Sequence, residues 1–202
     1  MIDQEAVLRR YAQAVEDAHA ELTELDQRSG DGDFGDNLRG GLRKAVARFE
    51  AGGVSAFEAL GEEFLDEVGG TSGPLLGLLF TEIAHALDGR DDDQAAAFGA
   101  GAKAGLAAIQ RVGEAEVGDR TLVDALAPAV AAIPQGFAAA ARAAKVGADH
   151  TAELRARMGR ASYVGDRVKG EPDPGAVGIA LLFWAAATVA EPKAEVDGPL
   201  GH

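Results

Sequence analysis

Between positions 26 and 36 the chain carries Asp26, Asp31, Asp33 and Asp36, interleaved with Gly30, Gly32 and Gly35. At an effective dielectric of about 20, two carboxylates roughly 5 Å apart repel by about 3 kcal/mol. A loop that folds several of them together therefore needs a cation, and because every ligand on offer is oxygen, the ion implied is hard and divalent. The same residue types also make an ordinary solvated turn, since Gly supplies positive φ and Asp caps the helix that follows. An EF-hand is excluded. Counting from Asp31 puts Asp36 where that loop requires Gly, and Leu42 where its bidentate Glu belongs.

Three further groups bear on phosphate chemistry. Thr71-Ser72-Gly73-Pro74 and Asp173-Pro174-Gly175 both read as helix starts, whose free backbone N–H groups bind phosphate oxygens. Arg160 is an isolated cation, and it also reads simply as a surface Arg near the negative end of a helix dipole. The chain has no GxxxxGK[ST] and no GxGxxG after a strand, so a nucleotide site here would lack the usual apparatus. His19, His85, His150 and His202 fall outside these motifs. His85 reads as packed and His19 as partly exposed.

With 202 residues, 47% of them hydrophobic, the chain can bury one sizeable core. A net charge of −14 argues against nucleic-acid backbones and anionic membrane surfaces as partners. Zero cysteines exclude disulfides, thiolate metal sites and Cys nucleophiles, and the acidic start Met-Ile-Asp-Gln-Glu lacks a signal-peptide core, so a cytoplasmic protein is expected. The longest apolar run, near Ala176 to Ala190, suits a buried helix better than a membrane span.

The elements that must position these groups are helical, and no segment alternates like a strand. Asp3 caps a first helix whose apolar positions run from Val7 to Leu25. A second helix spans Asn37 to about Glu50, and a third opens on the capping box Ser55 to Glu58 and stops before Gly69-Gly70. The fourth starts at Thr71 or Ser72 as cap and runs to about Leu87. The fifth begins at Asp91-Asp92-Asp93 and carries a small-residue face, Ala100, Gly101, Ala104, Gly105 and Ala108, that permits close packing. The sixth follows Thr121 to Asp124 and is closed by Pro134, and the seventh runs from about Gln135 to Met158 with a break near Gly147. Asp173 caps the eighth, with Pro174 at its first position. Phe183 and Trp184 read as core. Residues 1–190 form one domain, with 191–202 expected as a flexible tail.

Eight helices packed up and down place every odd-to-even join at one end. The segments 26–36, 69–74, 113–121 and 159–175 are all such joins, so carboxylates and helix starts meet on one rim.

In order along the chain, four stretches resemble the L subunit of dihydroxyacetone kinases (DhaL type). They are Gly30-Asp31-Gly32-Asp33-x-Gly35-x-Asn37 after Leu25-Asp26, Gly69-Gly70-Thr71-Ser72-Gly73-Pro74-Leu75, Gly118-Asp119-Arg120-Thr121-Leu122-Val123-Asp124-Ala125-Leu126, and Gly159-Arg160-Ala161-Ser162-Tyr163 through Asp173-Pro174-Gly175. The resemblance implies an all-α, eight-helix antiparallel up-and-down barrel that binds ADP or ATP with two Mg²⁺ ions at one rim. It implies that Asp26, Asp31 and Asp33 bind metal and that Phe34, Gly35, Asp36 and Asn37 contact phosphate. Thr71, Ser72 and Gly73 would lie over the phosphates, Gly113 and Leu122 beside adenine, and Arg160, Asp173, Pro174 and Gly175 at the remaining contacts. Two positions depart from the family: Phe34 stands where it has His, and Asp36 adds a negative charge, for which capping the second helix is the favoured reading.

The first functional expectation is phosphoryl transfer, with Arg160 catalytic in offsetting charge on the transferring group. A separate K-type subunit would present dihydroxyacetone or a related ketose or triose, and the donor would be ATP or a phosphohistidine protein that recharges bound ADP. The alternatives are a non-catalytic helical module for a nucleotide or an apolar ligand, and a metal-dependent phosphohydrolase.

Overall fold

A computed structural model describes residues 2–90, 93–158, 161–164 and 169–200. The first helical stretch is interrupted: α1 (Gln4–Asp17) gives way at Ala18 to α2 (His19–Ser29), where a single continuous helix was expected. Thr23 Oγ1 donates back to the His19 carbonyl at 2.9 Å, the kind of local bond that bends a helix. The consequence is that Asp26 sits on the last turn of α2 rather than in a loop.

The next helix, α3 (Phe34–Ala51), starts three residues before the expected Asn37. Its N-cap is Asp33, so Asp36 lies inside the first turn and is not the cap. The capping box holds at α4 (Ala56–Asp66), with Glu58 N–H on Ser55 Oγ at 3.3 Å and Ser55 N–H on Glu58 Oε2 at 2.6 Å. Helix α5 (Ser72–Leu87) starts where expected, with Thr71 as its N-cap residue, but no side chain makes a cap bond there. For α6 (Gln94–Gly113) the cap is Asp93, and Asp91 and Asp92 lie outside the described residues.

After α7 (Val123–Ala132) Pro134 sits within a 3₁₀ turn, Ile133–Gln135, and α8 (Phe137–His150) ends before the expected Met158. Gly147 does not break α8. A Cβ there would overlap the Asp124 carbonyl oxygen and lie 3.0 Å from Ala125 Cα, so this glycine lets α8 press onto the start of α7. A four-residue helix, α9 (Ala161–Val164), precedes α10 (Pro174–Ala190), which Asp173 caps by accepting Ala176 N–H at 2.9 Å.

Around the molecule α1 neighbours α3, followed by α4, α5, α6, α7, α8 and α10, which returns to α1. With α1 and α2 taken as one bent rod and α9 set aside, the described residues form an all-α, eight-helix up-and-down barrel with no strand. The small-residue face of α6 does what its sequence suggests: Cβ atoms on Gly101 and Gly105 would lie 2.6 Å from Ile83 Cα and 2.7 Å from Leu79 Cδ1 of α5. The waist is filled by aromatic rings. Tyr11, Phe57, Phe64, Phe80, Phe98, Phe137 and Phe183 meet at centroid distances of 5.1–6.5 Å, mostly edge to face.

Trp184 is half-buried, not full core, with the Arg10 guanidinium 4.3 Å over its ring. His85, expected to pack, is exposed. Beyond α10, where a flexible tail was expected, Glu191 accepts Phe137 N–H at 2.6 Å and Ala138 N–H at 3.3 Å, and Val196 O accepts Trp184 Nε1–H at 3.1 Å. Among the described residues no helix is long and apolar enough to cross a membrane.

Candidate functional site

At one end of the barrel the α2–α3, α4–α5, α6–α7 and α8–α10 connections surround a cavity of about 290 Å³. Asp26 forms its floor. Its carboxylate is buried at the end of α2, and Oδ2 accepts the Phe34 N–H at 2.9 Å. A Cβ at Gly30 would overlap Asp26 Oδ1, so only glycine leaves that oxygen its place. Asp31 and Asp33 line the same cavity from the exposed loop that follows. The Phe34 ring is buried between α3 and α10, where a Cβ on Gly178 would come 3.1 Å from Cζ.

The opposite wall is made by Asn37 of α3 and by Gly70, Thr71 and Ser72 at the start of α5. With no side chain capping that start, its first N–H groups are left for an acceptor in the cavity. The lining also has an apolar part, made by Leu75, Ile109, Ala115, Leu122, Val123 and Met158 beside Gly113. Carboxylates, a helix start and apolar side chains around one cavity suit a ligand that joins a polyanionic group to a flat apolar one.

The 118–124 loop and the 171–175 turn complete the walls. Asp124, buried, accepts Gly118 N–H at 2.6 Å and Thr121 N–H at 2.8 Å, which holds the loop closed. Between them Arg120 adopts φ 61° and is only 1% exposed, with Nη2–H donating to the Glu171 carbonyl at 2.9 Å. Burial pulls its pKa down from the usual arginine value and Asp173 pushes it back up. Asp173 is raised to about 6: desolvation dominates, the Ala176 N–H and Arg120 oppose it, and Asp124 and Asp26 add to it. The Asp173 backbone N–H donates to Thr151 Oγ1 at 2.7 Å.

The model of the DAK2 domain matches residues 28–188. The chain belongs to the DAK2 family. It is 35% identical over 182 residues to the ADP-binding subunit DhaL of PEP-dependent dihydroxyacetone kinase 1 from Listeria innocua, covering 88% of this chain and 91% of that one. To L-erythrulose 1-kinase of Mycolicibacterium smegmatis it is 37% identical over 196 residues, 89% of this chain but 34% of that protein. The dihydroxyacetone kinase of C. freundii superposes with a TM-score of 0.73 at 27% identity, covering 91% of this chain and 34% of that one. A structure of the same kinase in complex with AMP-PNP and Mg²⁺ gives 0.73 at 26% identity over 93% of this chain and 34% of that one. This DAK2 chain thus spans about a third of the length of those larger kinases.

Of the residues singled out in the DAK2 motifs, Asp26, Asp31, Asp33, Phe34, Asn37, Thr71, Ser72, Gly113, Leu122, Asp173, Pro174 and Gly175 line the one cavity. Three others do not line it. Gly35 packs on α2, where a Cβ would overlap Thr23 Oγ1, and Gly73 packs on the Val68 carbonyl. Asp36 turns outward to His19 Nε2 at 2.8 Å and Arg39 Nη2 at 2.9 Å, which hold its pKa below the usual carboxylate range. Arg160 lies outside the described residues. Sequence reasoning gave no role to Arg120 or Asp124, although the fragment Gly118-Asp119-Arg120-Thr121 with Asp124 three residues on carried the signal of a loop closed by a carboxylate.

Among the described residues no three acidic or histidine side chains come close enough together to form a metal centre. The donor set nevertheless has the right chemistry for a hard divalent cation, with one fixed carboxylate on the floor and two on an adjoining exposed loop.

Proposed function

We propose that this chain is the nucleotide-binding, phosphoryl-transfer part of a kinase for dihydroxyacetone or a related small ketose or triose. The observation that carries this reading is the rim cavity lined together by Asp26, Asp31 and Asp33, by the start of α5 with no side-chain cap, and by apolar side chains. In this reading Asp26, held by the Phe34 N–H, would be the fixed ligand, and Asp31 and Asp33, which line the same cavity, would complete the carboxylate set for two Mg²⁺ ions. Bound there, the metal would neutralise phosphate charge.

The chain's own groups then act by position and charge. Thr71 and Ser72 set backbone N–H groups of α5 against the β- and γ-phosphates, Asn37 donates from α3, and the apolar slot from Leu75 to Leu122 takes adenine. Arg160 offsets negative charge on the transferring group. The acceptor hydroxyl belongs to a ketose presented by a K-type subunit, a reading supported by the similarity to DhaL subunits of dihydroxyacetone kinases. The donor is ATP or a phosphohistidine protein that recharges bound ADP, and nucleotide retained through gel filtration would favour the second. An apolar ligand inside the barrel is disfavoured by the phenylalanine rings that fill the waist.

Titration calorimetry of ADP with and without Mg²⁺ tests the reading. Binding that needs the metal, together with phosphate transfer to dihydroxyacetone when a K-type subunit is added, is expected. Absence of metal-dependent nucleotide binding overturns it, and steady phosphate release without acceptor replaces the kinase with a hydrolase.

A further inference from the structure

Two unfavourable features coincide on Arg120: a non-glycine residue in the left-handed region, and a charged guanidinium removed from water. Each costs stability, and such features persist where surrounding structure uses them. The guanidinium reaches across from the α6–α7 loop to the α8–α10 turn and donates to the Glu171 carbonyl. That turn is short of donors of its own, because Pro172 and Pro174 have no N–H. Its described anchors are the Asp173 N–H on Thr151 Oγ1, the Ala176 N–H on the Asp173 carboxylate, the bond from Arg120 and the pairing of the Glu171 carboxylate with Arg28. Of these, the Arg120 bond is the one that ties the turn to the α6–α7 loop.

Glu171 is also where a third wall joins. Its side chain pairs with Arg28 on the last turn of α2, next to the Ser29–Asp33 stretch. One residue thus ties the aspartate loop through its carboxylate and the 118–124 loop through its carbonyl.

We propose that Arg120 is a positioning residue: by bonding the Glu171 carbonyl it sets the 171–175 turn, and with it the start of α10, at the spacing from the aspartate loop that a nucleotide diphosphate needs. The proposal deepens the nucleotide reading above and rests on it for the ligand. It requires an arginine rather than a simple cation because the planar fork holds a carbonyl in a fixed direction.

The test uses the whole chain with Arg120→Met and Arg120→Lys. Without nucleotide, amide exchange at Asp173 and Ala176 is expected to quicken by about tenfold or more in Arg120→Met, the scale of a lost charged hydrogen bond, while Ala59 in α4 is unchanged. Magnesium-dependent ADP affinity is expected to fall by about tenfold to a hundredfold in Arg120→Met, with partial recovery in Arg120→Lys. Should Arg120→Met not fold, Arg120→Lys carries the same two readouts, with smaller changes expected in each. Unchanged exchange in the turn overturns the proposal, as does unchanged affinity in a wild type that binds. A wild type that binds no Mg-ADP overturns the nucleotide reading instead, and exchange alone then decides whether Arg120 sets the turn.

Discussion

The waist and the rim of this barrel are built on opposite terms. At the waist Phe57, Phe80 and Phe98 are fully buried among other rings, and Gly101 and Gly105 let the α5 and α6 backbones close directly on each other. At the rim, within one cavity, stand a buried aspartate, a buried arginine in a left-handed conformation, an aspartate with a raised pKa and a helix start without a side-chain cap. The difference separates the groups that supply stability from the groups that spend it. Apolar packing governs the waist, and costly polar and backbone arrangements gather at the rim, where in the proposed reading a polyanion and its cations would complete the structure.

The comparison breaks most visibly at the waist. Phe98→Ala removes a ring that meets Phe57, Phe137 and Phe183, and is expected to lower unfolding stability by about 3–5 kcal/mol in a urea titration. A rim substitution should do the reverse. Asp31→Ala is expected to weaken Mg-ADP binding by at least about 2 kcal/mol by calorimetry, with a smaller change in the urea midpoint than Phe98→Ala gives. Between the two regions lies Gly147. Gly147→Ala places a methyl group on the Asp124 carbonyl, and a loss of about 1–3 kcal/mol is expected together with weaker nucleotide binding, since the start of α7 carries the 118–124 loop.

Smaller effects sharpen the distinction. Asp173 has its pKa raised to about 6 from an ordinary value of 3.8, so the folded chain holds a proton there that the unfolded chain releases. Its contribution to stability is therefore full below about pH 4 and is lost as pH rises through about 6. Asp173→Asn keeps a cap acceptor without the charge, and the difference in melting temperature between it and the wild type should grow in the variant's favour from pH 4 to pH 7.5. Smallest of all is Asp36→Asn. Its partners His19 and Arg39 are on the surface, so a stability change within about 0.5 kcal/mol and an unchanged nucleotide affinity are expected. A large loss of affinity there would bring Asp36 back into the site.

Much of the fold could be read from periodicity and punctuation. The Ser55–Glu58 box, Asp173 before Pro174 and the glycine face of α6 act locally or along one helix face, and each does in the structure what its spacing implies. Two of the misreadings share a cause. The early start at Phe34 and the unbroken course through Gly147 depend on a neighbouring element: Asp26 accepting the Phe34 N–H, and α7 lying against α8. Glycine and aspartate have the same local signature whether they end an element or fit a neighbouring one, and His85 on an apparently apolar face illustrates the same limit.

For the candidate site the division is similar. Residue types, their order and the parity of an up-and-down barrel already determined that the Asp26–Asp36, Gly69–Pro74 and Asp173–Gly175 segments share one end, because short connections leave helices no other way to alternate. Only the tertiary structure decided which side chains of those segments enter the cavity. It turned Asp36 outward to His19, pressed Gly35 and Gly73 into helix contacts, and brought Arg120 against Glu171, fifty-one positions away. Side-chain direction and burial follow from what packs on the other side, and that partner is distant in sequence even when it is adjacent in space.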